Sequence, residues 1–160
     1  MNMKSIMGLS PVMLAFACGV TPSEGEWELS TNVTWNKDEC NLQSQMDLSL
    51  NNTFDLALTE TGFTIDEEVV CTLEGSNFTC DWGESTSSED YSDMGMDAVL
   101  KMVNTLGGSF SSNTAMTIDT TFQYSCEGAD CADLNAMIEE VTLPCESEYT
   151  IEGNYLGPKE

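Results

Sequence analysis

Cysteines and carboxylates are the residue types in this sequence that could do chemistry. The 160 residues include 7 Cys and 28 Asp and Glu, whereas Lys and Arg together number 4 and His is absent. All four cations are lysines. Without imidazole there is no Ser-His-Asp or Cys-His catalysis, and without guanidinium there is no bidentate clamp for an oxyanion. The composition therefore favours a binding protein over an enzyme, and we expect no catalytic residues.

The negative charge limits the partners that the chain can have. The formal net charge is −24 at pH 7. Such a chain repels phosphate backbones, so we expect no nucleic-acid partner. It repels anionic membrane surfaces for the same reason, and contact with a membrane would need an apolar or covalent anchor. At this length we expect one folded domain.

Two groups of acidic residues carry the oxygen ligands that Ca²⁺ prefers. Neither has the spacing of an EF-hand loop. In a chain so rich in acids a solvated acidic face is the favoured interpretation, so we expect no metal and no cofactor, and a carboxylate hydrolase or Ca²⁺ module is a lesser alternative. The groups are Glu89, Asp90, Asp93 and Asp97, and Glu127, Asp130, Asp133 and Asn135.

The N-terminus has the pattern of an export signal. Residues 1–4 carry one lysine, and residues 5–17 are mostly apolar. This apolar run is too short to span a bilayer, which needs about 20 residues, and it matches the central region of a secretory signal peptide. We therefore expect residues 1–17 to be removed on export.

The stretch LAFACG, residues 14–19, resembles the lipobox of bacterial lipoproteins, in which a cysteine is lipidated and becomes the new N-terminus. Ala17 and Cys18 fit this pattern, whereas Ala15 stands where leucine is usual and Phe16 where a small residue is usual. The resemblance implies a lipid on Cys18, a tether over residues 18–24 and a domain over 25–160. It also implies a membrane partner through that lipid. Because no aspartate follows Cys18, it favours the outer membrane of the cell envelope; a plain secreted protein is the alternative.

Removing Cys18 leaves an even number of cysteines, as three disulfides in an oxidising compartment require. In EVVCTLEGSNFTCDW, a two-residue type II′ turn at Gly75-Ser76 would place Cys71 opposite Cys80 on adjacent strands. We therefore predict that these two are bonded. The remaining four are Cys40, Cys126, Cys131 and Cys145.

Alternation of apolar and polar residues predicts eight strands. They cover residues 26–36, 42–50, 54–58, 68–74, 77–82, 114–126 and 145–156, together with a short strand and its turn within 59–66, and they leave a three-residue loop at 51–53 and a solvated loop at 83–93. Helical spacing predicts two helices, over residues 93–106 and 131–141. The expected fold is mainly β: an antiparallel up-and-down sheet closed, or nearly closed, into a barrel with three disulfides.

If the strands run up and down in order, the four remaining cysteines meet at one rim. Pairing the last strand with the first favours Cys40–Cys145 and Cys126–Cys131. The swapped pairing, Cys40–Cys126 with Cys131–Cys145, stays open because sequence does not determine connectivity.

Gly25-Glu26-Trp27 opens the first strand, and this resembles the Gly-x-Trp motif of lipocalins and related calycins. The resemblance implies a cup that binds a small apolar molecule, with Trp27 at its closed end. The arginine that packs over this tryptophan in lipocalins is missing here, and the helix at 93–106 would be extra.

Inward-facing apolar residues could line a pocket for such a ligand. The competing interpretation, which the size of the barrel favours, is that they fill the core. Two functions follow: a non-catalytic carrier of a small apolar ligand, or a surface interaction or structural module with an envelope protein partner. The candidate ligand-binding residues are Trp27, Leu29, Trp35, Leu48, Phe54, Phe78, Ile118, Phe122 and Tyr149.

Overall fold

The computed structural model describes residues 19–45, 53–81, 86–138 and 141–159, so Cys18, Leu48 and Trp82 lie outside the described residues. Nine strands and two short α-helices account for most of these described residues. They are β1 Gly25–Asp38, α1 Leu42–Gln45, β2 Thr53–Leu58, β3 Gly62–Ile65, β4 Val69–Glu74, β5 Asn77–Asp81, β6 Thr86–Asp90, β7 Val99–Ser112, β8 Ala115–Glu127, α2 Cys131–Met137 and β9 Cys145–Gly157, with a 3-10 turn at Ser92–Met94.

Eight of the strands form a closed antiparallel barrel. Their order is β5-β4-β3-β2-β1-β9-β8-β7, and pairing of β5 with β7 closes the ring. On this edge of β7, β5 pairs with residues 106–109, and the ninth strand, β6, pairs with residues 99–103. The predicted fold class is confirmed: mainly β, antiparallel and closed, with two helices and three disulfides.

The barrel wall is high on one side and low on the other. We call the end with the turns at residues 75–76 and 113–114 the lower end, and the end with Cys40 and Cys145 the upper end. Strands β1, β7, β8 and β9 have 13 or 14 residues, whereas β2 to β5 have four to six. Strand β2 pairs only with Gly25–Glu28 of β1. Within the described chain, the upper part of β1 therefore has no strand partner on that side.

Aromatic side chains fill the lower half. Trp27 and Phe63 are fully buried, and Phe110 lies 5.9 Å from Trp27 and 5.5 Å from Phe63 between ring centroids. Residues 19–24, which the lipobox resemblance implies to be a tether, pack across this end: Val20 contacts the core and the Trp27 indole N–H donates to Ser23 O at 3.0 Å.

A smaller apolar cluster caps the upper end. It is centred on Cys40, Leu42 and Cys145, and Val141 and Leu143 pack against it. The three disulfides join Cys40 to Cys145, Cys71 to Cys80 and Cys126 to Cys131, as predicted.

The hairpin of β4 and β5 and the closure of the barrel also agree with prediction. Glu74 pairs with Asn77 across the two-residue turn, and Gly75 has φ 67°, as the first position of a type II′ turn requires. Strand β9 pairs with β1 along most of its length. Helix α2 lies within the predicted span of 131–141.

The predicted helix over residues 93–106 is wrong. Residues 99–112 form β7, which pairs with β8 along its whole length and with β5 and β6 on its other edge. The helical spacing arises because both faces of this strand carry apolar residues. Gly107, which directly follows the predicted helix, lets β5 approach closely, because a Cβ on it would lie 3.0 Å from Phe78 O.

Two further predictions of local structure are wrong. The predicted strand over 42–50 begins with α1, whose backbone N–H groups at Leu42 and Gln43 are bonded to the Asp38 carboxylate. Residues 46–52 lie outside the described residues, and Thr53, the last residue of the predicted loop at 51–53, begins β2. The predicted solvated loop contains β6, which forms because the upper edge of β7 is free to pair.

Candidate functional site

The structure divides the predicted ligand-binding residues into two groups. Trp27, Phe54, Phe78 and Ile118 are buried in the lower core, and Leu29 packs against them. The ring centroid of Phe78 lies 5.2 Å from both Phe63 and Phe110. Rings at this spacing are in direct contact. In the lower half the side chains themselves fill the barrel, as the competing interpretation predicts.

The second group lies higher in the barrel and keeps contact with solvent. Trp35 and Phe122 flank Tyr149, with ring centroids 5.1 and 5.9 Å from it. Tyr149 is 8% exposed, whereas Trp35 and Phe122 are only half-buried. We call the surface that these residues form with Met102, Asn104 and Tyr124 the upper inner face.

Strand alternation places Met102 and Asn104 of β7 on this face. They share the parity of Leu106 and Phe110, which pack in the lower core. Across the ladder, Met102 is opposite Tyr124 and Asn104 is opposite Phe122. Four long strands therefore contribute to one concave surface.

Asn104 is the polar residue of this face that the sequence analysis missed. Its side-chain oxygen is buried and has no hydrogen-bond partner in the structure, alone in this respect among the described residues. The sequence does contain a pattern that would identify it: in a strand, Asn104 lies on the same face as Met102 and Leu106, and this face points inward. The incorrect helix prediction for 93–106 excluded this strand pattern.

The upper inner face is electrically neutral. Burial raises the pKa of both Tyr124 and Tyr149, so both phenols keep their protons at neutral pH. Two carboxylates lie near it: Asp38 accepts hydrogen bonds from the Ser147 hydroxyl and from α1, and Glu89 lies on the exposed β6 opposite Leu100. The surface itself favours uncharged groups.

The outer face of the same strands is polar. The Lys37 ammonium donates to Glu146 at 3.0 Å, and hydrogen bonds from Lys37 and then Gln123 lower the pKa of the Glu146 carboxyl. Asn36 donates to Thr150, which in turn donates to Asp119. Glu146 and Asp119 thus lie on the outside of the barrel.

The acidic groups considered for Ca²⁺ have structural partners. Asp97 and Asp130 are linked by reciprocal hydrogen bonds that join the start of β7 to the loop before α2. Glu127 pairs with Lys101 at 2.6 Å, and the Asn135 side chain accepts from Leu143 N. In the described part of the chain no cluster of three or more His, Cys, Asp or Glu side chains is arranged to hold a metal ion.

A pocket of about 400 Å³ lies beside β2 and the start of β1. Its lining includes Glu24, Asp55, Glu67, Pro158 and Lys159, and Lys159 pairs with Asp55. None of the predicted ligand-binding residues lines it, and its charged walls suit an apolar ligand poorly.

Comparison with protein-family models, curated proteins and solved structures gives no match to this chain. Among the described helices, none is long and apolar enough to cross a membrane. The geometry of the barrel is therefore the basis for assigning a function.

Proposed function

We propose that this chain is an exported, lipid-anchored binding protein of the bacterial cell envelope that holds a small, neutral, apolar ligand. The upper inner face is the proposed binding surface, and the protein is not an enzyme. The observation that carries the proposal is that Trp35, Phe122 and Tyr124 pack against the Cys40–Leu42–Cys145 cluster yet, like Met102 opposite Tyr124, are only half-buried.

A ligand that covers inward-facing apolar side chains still in contact with solvent gains binding free energy. Removing apolar surface from water contributes roughly 25 cal/mol per Å². Ligand pockets are typically lined by apolar and aromatic side chains with few polar groups, which is the composition of the upper inner face. The formal charge of −24 disfavours anionic ligands. A neutral ligand fits these properties best.

The test is binding of the neutral fluorescent probe N-phenyl-1-naphthylamine to the folded, oxidised protein. We expect saturable fluorescence enhancement, and we expect Phe122→Ser to weaken binding by about tenfold through loss of apolar contact. Leu156→Ser is the matched control, because Leu156 is 51% exposed on the outer face of β9. Equal binding by both variants, or no saturable binding by the wild type, would overturn the carrier function.

If Phe122→Ser does not fold, the location of the probe can be measured without it. Energy transfer from tryptophan to the bound probe should fall strongly in Trp35→Phe, which keeps an aromatic ring at this position. Unchanged transfer would place the probe away from the upper inner face and overturn the proposed site.

The proposed anchor fits the packing of the first described residues. A Cβ on Gly19 would lie 2.4 Å from Gly75 O, so the chain runs directly against the lower end of the barrel. A lipid on Cys18 would hold this filled end at the membrane, and the upper inner face would point away from it. Trp27 of the Gly-x-Trp motif is fully buried in this lower half.

Intact-mass spectrometry of the natively expressed protein tests the anchor. The proposal requires a chain that begins at Cys18 with a diacylglyceryl adduct, and Cys18→Ser should release the protein from the membrane fraction. An unmodified N-terminus, or a variant that stays anchored, would leave a secreted protein as the better assignment.

A protein-interaction module is the second candidate. All five residues of β6 are exposed, and among the described strands its edge away from β7 has no partner. Such an edge can accept an extended peptide as an added strand. Absence of probe binding together with capture of an envelope protein at β6 would favour this function over the carrier.

A further inference from the structure

We propose that Asn104 is the polar anchor of the upper inner face and that the ligand carries one neutral N–H or O–H donor on an otherwise apolar body. This inference rests on the proposed carrier function and names the class of ligand. It starts from the buried, unpartnered oxygen of Asn104 and the neutral aromatic surface around it.

An acceptor in this position is costly while it stays unpaired. Buried polar groups in folded proteins almost always have a partner, and the rare exceptions call for an explanation. Asn104 Oδ1 has none within the structure. A ligand donor reaching this oxygen would remove the cost that the free protein bears.

The position of Asn104 between two apolar layers makes it suitable as an anchor. Below it, Leu106 packs in the lower core. Beside it on β8, Phe122 is its direct partner across the ladder. A ligand resting on Phe122 and Trp35 would therefore bring a polar group at its lower edge close to Asn104.

Two other polar side chains lie at this level. Thr120 is buried opposite Tyr149 on the neighbouring strand. Ser147 is fully buried and donates to Asp38 at 2.9 Å. Among the described residues, Asn104 Oδ1 is thus the buried side-chain acceptor that has no partner.

Asn104 also lies between the segments of β7 that pair with β5 and with β6. Pairing of β5 with β7 ends at Leu106, and pairing of β6 begins at Val103. Within the described chain, neither strand pairs with Asn104 or Thr105 on that edge. The Asp38 carboxylate beside this face already accepts hydrogen bonds from Leu42 N, Gln43 N and the Ser147 hydroxyl, so we expect a neutral donor rather than an ammonium group at Asn104.

The test compares two probes that differ in one group. N-phenyl-1-naphthylamine has an N–H between its two ring systems, and 1-benzylnaphthalene has a CH₂ in the same place. The wild type should bind the amine more tightly than the hydrocarbon. Asn104→Leu should weaken amine binding by about three- to tenfold, the range for loss of one hydrogen bond, and should leave hydrocarbon binding unchanged or stronger.

Asn154→Leu is the matched control, because Asn154 is exposed on the outer side of β9. It should bind both probes as the wild type does. If Asn104→Leu changes the affinities for both probes equally, Asn104 is no anchor and the inference is overturned while the carrier function stands. If neither probe binds the wild type, the carrier function fails and the inference with it. If Asn104→Leu does not fold, the wild type alone decides, since equal affinities for the two probes would overturn the inference.

Discussion

Single residues explain why two distant segments meet near the upper end. Gly128 has φ 128°, and a Cβ there would lie 2.1 Å from Asp97 O. The chain at Gly128 must approach this carbonyl because Asp97 and Asp130 bond to each other's backbone. Only glycine combines this backbone angle with so close an approach.

We expect Gly128→Ala to be much more destabilising than Gly95→Ala. Gly95 also has a positive φ, 78°, but a Cβ there would meet nothing within 4 Å. Its replacement should cost about 1 kcal/mol for the left-handed backbone alone. Gly128→Ala adds a steric clash with backbone and should cost about 1–3 kcal/mol more. Urea unfolding of both variants measures the difference, and equal losses would contradict the close approach.

Tyr149 should make stability depend on alkaline pH. Burial raises its pKa above the ordinary value of 10.0, so the folded state holds the phenolic proton more tightly than the unfolded chain does. The stabilisation is fully present below the unfolded pKa and is lost as pH rises through the folded one. Tyr149→Phe cannot titrate there, so its stability should fall less steeply above about pH 10.

Urea unfolding across this pH range, with absorbance of the phenolate, tests the Tyr149 prediction. Below about pH 9 the difference between wild type and Tyr149→Phe should be constant, which serves as the internal control. A difference that stays constant at higher pH as well would show that burial of this phenol is not linked to folding.

At the scale of elements, local patterns predicted structure well where pairing is local. The β4–β5 hairpin follows from a two-residue turn and strict alternation, and its register is the predicted one. Strand β7 was not predictable in this way, because its partners are distant: Asn77 pairs with Ser109 and Val99 with Glu127. Non-local pairing on both edges overrides the helical spacing of its apolar residues.

The candidate site was likewise predicted only in part. Trp35, Phe122 and Tyr149 follow from alternation on strands that were correctly predicted, and the structure brings them together. Asn104 and Met102 could not be found while β7 was read as a helix. The division of the interior into a filled lower half and a wet upper face depends on unequal strand lengths, which alternation alone does not determine.

Helix α1 has four residues and depends on its neighbours. A helix this short is unstable by itself. The Asp38 carboxylate accepts from Leu42 N at 2.7 Å, from Gln43 N at 3.1 Å and from the Ser147 hydroxyl at 2.9 Å. This one side chain therefore fixes α1 to the end of β1 and to β9.

We expect Asp38→Ala to release α1. Loss of these hydrogen bonds to a charged acceptor should cost about 2–3 kcal/mol and should speed amide exchange over residues 39–45. The control is Glu39→Ala, because Glu39 is exposed and its contact is an ion pair with Lys37 at the surface. Hydrogen exchange by mass spectrometry distinguishes the two. Slow exchange over 39–45 in Asp38→Ala would mean that the Cys40–Cys145 bond alone holds the helix.

At the scale of the whole molecule, β9 carries outward-facing acidic residues and also closes the domain by pairing with β1. Acidic residues such as Glu146, Glu148 and Glu152 alternate with inward-facing Ser147, Tyr149 and Ile151 on β9. This alternation puts the negative charge outside and leaves the interior neutral. The pairing of β1 with β9 joins the two ends of the domain, and the Cys40–Cys145 bond closes it covalently at the upper end.

The disulfides should therefore differ in their contribution to stability. Cys40 and Cys145 are 105 residues apart, whereas Cys126 and Cys131 are separated by 5. In the chain-entropy model a loop of the first size restricts the unfolded chain by about 4–5 kcal/mol and one of the second size by about 2 kcal/mol. Replacing Cys40 and Cys145 together by alanine should thus lower the free energy of unfolding about twice as much as the same change at Cys126 and Cys131. Urea unfolding under oxidising conditions measures both. Equal losses would mean that local packing at the upper end, rather than closure of the whole chain, is what these bonds stabilise.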